Sequence, residues 1–155
     1  MNIKDILMAG FTGTTVMTLF SETVSQLKNA NYNEAEILAK LIKRASKMNK
    51  RQSTIAGWAA HYAVGTLFAV TYKALLDKGN IKPDLLNGAL FGGISGLGGA
   101  AIWHSTFNAH PNPPGVNLKN YYTQLVIAHV IFGMAAALVF RVNNQKSKSN
   151  DEDAR

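Results

Sequence analysis

Four stretches of this chain carry no Asp, Glu, Lys or Arg: residues 6–21, 53–72, 85–118 and 120–140. An α-helix needs roughly 20 apolar residues to cross a hydrocarbon core, and each stretch holds an apolar run near that length, the first at the short end. A soluble four-helix bundle would place a charged stripe on every helix to face water. Residues 53–72 and 120–140 have none, and such charge-free spans are how hydropathy identifies transmembrane helices. The expected fold is therefore all-α, an integral membrane four-helix bundle. Its helices fall at about 5–26, 54–76, 85–103 and 121–142, in a single transmembrane domain over 1–142, with a polar mobile tail over 143–155.

A hydrophobic content of 47% would by itself suit a soluble domain; the segregation of charge decides the matter. The formal charge is +7, and seven of the 16 basic residues lie between Lys28 and Arg51. They are interleaved with apolar residues rather than with stacking aromatics, which speaks against a nucleic-acid partner. Asn33 followed by Glu36 is a helix-capping signal. Beyond it Ile37, Leu38, Leu41, Ile42 and Ala45 form a stripe, with Lys40, Lys43, Arg44 and Lys47 on the remaining arc. This predicts a short amphipathic helix over about 34–48, lying in the headgroup region against anionic lipid or packed on the bundle as a connector. Trp58, Tyr62 and Tyr72 stand near the ends of the second long helix, where aromatic rings favour the membrane interface. Lys4 precedes an apolar run as in a secretory signal, but the continuation FSETVSQ offers no cleavage site and the segment reads as a retained helix. With no cysteine, disulfides and thiolate metal sites are excluded. The basic residues divide eight to eight between the two expected faces, so the positive-inside rule assigns no orientation.

AHYAVG at 60–65 and AHVIFG at 128–133 share a frame. At an offset of 68 (129 minus 61), His61, Gly65, Ala69 and Lys73 fall on His129, Gly133, Ala137 and Arg141. A weaker echo at 79 (84 minus 5) sets Asp5 on Asp84 and Gly13 on Gly92. Two helices per half predicts two helical hairpins that enter from the same face, a parallel repeat about an axis along the membrane normal. Residues four apart share a helix ridge. Gly65 therefore belongs to one small-residue seam, Gly133 to its copy, and Gly88, Gly92, Gly96 and Ala100 to a plainer one that leads to His104. The first helix offers Ala9, Gly13 and Ser21 on the expected comparable ridge. Such seams let helices approach closely in lipid and gain van der Waals contact. Packing also accounts for the G-x-G-x-x-A at Gly96, Gly98 and Ala101, which follows no strand and so lacks the context of a dinucleotide site.

Antiparallel neighbours would put His61, His104, His110 and His129 in one half of the molecule, with Glu22 beside them. Intramembrane ionisable residues point inward and raise a functional hypothesis by default. His61 and His129, related by the repeat, are the candidate ligand-binding pair, for a metal ion or the two axial positions of a haem. The plainer reading is that each imidazole bonds a neighbouring carbonyl or hydroxyl and that no cofactor is held. His104 and His110 form a loop-borne H-x5-H without Cys or a near carboxylate, a weak metal pattern. Ser105 beside His104 makes no triad, and no catalytic constellation emerges, so an enzyme is not expected. The first expectation is a structural, accessory or assembly membrane protein, a homo-oligomer or a subunit of a larger membrane complex. The second is a protein that binds or transports a small molecule, metal or haem through its paired histidines, with Glu22 as a proton or cation partner.

MAGFTGTTVMT, EAEILAKLI, GWAAHYAVGTLFAVTYK, the glycine-rich third helix and AHVIFGMAAALVF together resemble the small four-helix bacterial inner-membrane proteins of unknown function, the YagU-like proteins, over most of residues 5–142. The resemblance implies a multi-pass location in the bacterial inner membrane. It brings no catalytic residues with it.

Overall fold

The computed structural model describes residues 3–153, with side chains through Gln145 and at Ser149. Five helices follow one another: α1 Ile3–Lys28, α2 Glu34–Ala45, α3 Lys50–Gly79, α4 Leu85–Ala109 and α5 Leu118–Asp153, with no strand among the described residues. Two of them, α4 and Leu118–Gln145 of α5, are long and apolar enough to cross a membrane.

The helix ends differ from expectation for local reasons. α3 begins at Lys50 rather than near 54 because Asn49 and Gln52 form a reciprocal capping box across the first turn. It stops at Asn80, whose left-handed φ of 47° lets its N–H reach the Leu76 carbonyl. α4 runs past Trp103 to Ala109 and ends only where Pro111 forces His110 into an extended conformation (φ -76°, ψ 126°). His104, expected in a loop, is thus helical, and His110 is the cap. α2 ends at Ala45, short of 48. α5 does not give way to a tail at 143 but continues to Asp153; Ala154 and Arg155 lie outside the described residues.

α4 packs on α5, α5 on α1, and α1 and α2 on α3. Gly88 and Gly133 set the α4–α5 approach, since a Cβ on either would run into the other's carbonyl oxygen. Gly65 does the same for α3 on α1, where a Cβ would meet Thr14 Oγ1. The contacts of Gly65 with Gly10 and Thr14 correspond to those of Gly133 with Gly88 and Gly92. That correspondence has an offset of 78 (88 minus 10, 92 minus 14), one residue from the echo at 79. The ridge of α1 facing α3 is accordingly Gly10, Thr14 and Thr18, not Ala9, Gly13 and Ser21. The latter ridge faces α5, with Gly13 against the Phe132 ring and Ser21 bonded to Gln124.

α2 is held against the bundle. Gly57 of α3 seats on Ala35 and Ala39, where a Cβ would lie 2.6 Å from the Ala35 oxygen. His110 Nε2 reaches the Leu41 carbonyl at 3.1 Å, and Arg44 donates to the Asn112 and Pro113 carbonyls at 3.3 and 2.8 Å. The core contains Leu125, Phe132, Phe140 and Tyr121 from α5. Tyr72, expected at an interface, is buried and stacked on Phe91 at 4.6 Å. The outer surface is apolar: Leu86, Leu90, Ile94 and Leu97, opposite the glycine ridge of α4, are exposed, Ile94 by 72%.

Candidate functional site

α3 and α4 do not pack backbone to backbone. In the space between them lies a cavity of about 220 Å³ to whose wall all five helices contribute. Phe68 and Phe132 meet edge to face at 6.2 Å on one side, and Phe68 sits 5.6 Å from the His129 ring. Gly99 makes room for His129, whose Nε2 lies 3.3 Å from where a glycine Cβ would be. Val64 and Ile102 line the cavity yet are 49% and 66% exposed, so its mouth is the gap between α3 and α4.

The structure brings His61 and His129 to this one cavity. Each lies 11 residues into its helix (61 minus 50, 129 minus 118), a rise of roughly 16 Å. Their hydrogen bonds fix their tautomers. Thr18 Oγ1 gives its proton to the Thr14 carbonyl at 2.7 Å, so at 2.9 Å from His61 Nε2 it accepts, and His61 carries its proton on Nε2. His129 Nδ1 donates to the Leu125 carbonyl at 2.9 Å, which leaves Nε2 as the acceptor.

The other sequence candidates lie elsewhere. Glu22 takes amide protons from Gln26 of α1 and from Asn33 of the connector, and does not line the cavity. His104 is exposed, bonded to Asn108 at 3.0 Å. His110 holds the loop after α4 to α2, and its Nδ1 accepts from the Asn112 N–H at 3.1 Å. Gly13, Gly65, Gly88, Gly92, Gly96 and Gly133 all stand at close helix approaches, and Ala100 packs part-buried against the core.

Sequence reasoning misses Glu34. It is the first residue of α2, 3% exposed, and it lines the cavity. Gln124 Nε2 donates to Ser21 Oγ at 2.7 Å and Ser21 donates to Glu34 Oε1 at 2.9 Å, a relay from α5 through α1 to α2. Glu34 Oε2 and Gln124 Oε1 are buried without a partner. Burial pushes the Glu34 carboxyl from 4.5 up to about 7, against the opposing pull of its own backbone N–H and the Ser21 and Gln124 side chains. Nothing in the sequence marks this residue: an acidic group in a first helical turn ordinarily balances the helix dipole in water.

Among the described residues no three His, Asp or Glu come together in a metal-binding group. The lining is mostly apolar, with His61, His129 and Glu34 as its ionisable groups.

No curated protein and no solved structure matches the chain. Residues 3–151 match the family of unknown function DUF6789, and the chain belongs to that family.

Proposed function

We propose that this is a multi-pass protein of the bacterial inner membrane, in which α1, α3, α4 and α5 each cross the bilayer and the cavity binds a small organic ligand that enters from the lipid between α3 and α4. The cavity, with an exposed apolar mouth and with Glu34, whose Oε2 is buried without a partner, in its lining, is the observation that carries the ligand reading over a purely accessory role. Ligand sites of this kind are concave and mostly apolar, with a few convergent polar groups. The crossing of all four helices is supported by the outward-facing apolar residues of α1 and α3, Leu7, Phe11 and Leu19 on one and Ile55, Leu67 and Leu75 on the other. These extend the surface of α4 in a way that water would penalise. On this reading α2 rests at the interface, with Lys40, Lys43 and Lys47 toward anionic headgroups.

The native chain lacks cysteine, so topology is directly measurable. Lys47→Cys and Lys82→Cys should react with a membrane-impermeant maleimide from opposite sides of intact spheroplasts, one before and one only after permeabilisation. Equal reaction of both before permeabilisation would overturn the arrangement. For the cavity, benzyl alcohol should raise the apparent melting temperature of the purified protein saturably. Val64→Trp, which places an indole at the mouth, should abolish that rise; the same rise in both proteins would show that the cavity is not the site.

A further inference from the structure

Resting on the ligand reading above, we propose that the cavity recognises an ammonium group on a compact apolar body, its N–H⁺ bound by Glu34 in exchange for the proton of that carboxyl.

The hydrogens around the cavity point to this chemistry. The Thr14 and Thr106 hydroxyls donate to the carbonyls one turn back, Gly10 at 2.7 Å and Ile102 at 2.8 Å. Outward they only accept. His129 Nε2 is an acceptor because Nδ1 carries the proton, and His61 Nδ1 is an acceptor because Nε2 carries it. Glu34 lines the cavity; its Oε1 is occupied by Ser21, and its Oε2 is buried without a partner. Apart from the Trp103 indole and the proton that the Glu34 carboxyl gives up, the polar atoms of the lining therefore ask for donors, and once that proton has left an anion or a carbonyl would find nearly none. Phe68, Phe132 and Trp103 supply rings that suit both an apolar body and a cation over an aromatic face. A buried carboxylate is costly unless it is paired, and an ammonium supplies the pair with a charge-assisted hydrogen bond.

The exchange balances: the protonated carboxyl and the ammonium give a carboxylate–ammonium pair and one released proton. The titratable groups near Glu34 are His61 on α3 and His129 and Tyr121 on α5. On α1 Ser21 faces it and Glu22 bonds the adjacent Asn33. α4 lines the cavity with Gly99, Ile102, Trp103 and Thr106, none of which titrates.

The test uses the full chain in phosphatidylcholine nanodiscs, with benzylamine and its neutral isostere benzyl alcohol as probes, followed by calorimetry. Benzylamine, protonated throughout pH 6–8, should bind at least about tenfold more tightly than benzyl alcohol at pH 8. Its affinity should fall by up to about tenfold per pH unit below 7. Glu34→Gln should remove both the preference and the pH slope, and Val64→Trp should remove both probes. Equal affinity for the two probes, each blocked by Val64→Trp, would overturn the ammonium inference and keep the ligand cavity. No binding of either would overturn both. A pH slope that survives Glu34→Gln would assign the proton to a histidine and sink the role of Glu34. Adding phosphatidylethanolamine separates the two natural sources of the group: competition with benzylamine identifies a lipid headgroup, and unchanged affinity a free amine; either outcome supports ammonium recognition.

Discussion

Replacing Gly92 by leucine is expected to prevent the α4–α5 hairpin from forming. A Cβ at this position would collide with the carbonyl oxygen of His129 and lie 2.7 Å from Val130 Cα. Both are backbone, so no side chain can swing aside, and the two helices must separate along the whole seam from Gly88 to Gly96. Overpacking of an ordinary core costs about 1–3 kcal/mol; a branched side chain forced between two backbones should exceed that range. Even Gly92→Ala adds the offending atom and should lower the apparent melting temperature. Gly98 is the internal control, since a Cβ there meets nothing within 4 Å. Gly98→Leu should therefore leave size-exclusion profile and melting temperature close to wild type. If Gly92→Leu were as monodisperse and as stable as Gly98→Leu, the glycine seam would not be what joins α4 to α5.

That seam is legible in the sequence because it has a period: Gly88, Gly92 and Gly96 recur every fourth residue, and a ridge of small residues in an apolar span has few purposes besides close packing. The same reasoning fails on α1, which packs on two neighbours at once. Its ridge toward α3 contains Thr14 and Thr18, whose hydroxyls bond inward to their own helix and so behave as small residues. A search for glycine alone selects the neighbouring ridge and shifts the repeat by one residue. Helix ends are recoverable where chemistry is local, as with Pro111 after His110. They are missed where a weaker signal, Asn49 with Gln52, sits outside the charge-free span.

The site divides along the same line. His61 and His129 stand out because a repeat copies them into spans where ionisable groups are costly. Glu34 does not, because its burial depends on three separate elements meeting: α2 folding back on Gly57, Ser21 turning inward from α1, and Gln124 arriving from α5. Position on a long helix favours Glu22, yet tertiary structure puts the other carboxylate in the cavity.

The contribution of Glu34 to the stability of the protein should fall as pH rises from about 4.5 to about 7. Burial holds the folded carboxyl protonated up to about 7, whereas the unfolded chain releases the proton near 4.5. Between those values this carboxyl keeps its proton in the folded state and has released it in the unfolded state, so its contribution to stability declines with pH across the window and levels off above it. The full loss is about 3 kcal/mol. Glu34→Gln keeps the shape, accepts from Ser21 through its amide oxygen and has no proton to lose. Its melting temperature in detergent should gain on that of wild type across this window and exceed it at pH 8. Parallel curves for the two proteins would mean that Glu34 does not hold its proton as its burial implies. The effect is tied to ligand recognition by one charge. The carboxylate whose burial is unfavourable at pH 8 is the group an ammonium would pair with, so an amine should stabilise wild type most at the pH where Glu34 is ionised, and Glu34→Gln should show no such rescue.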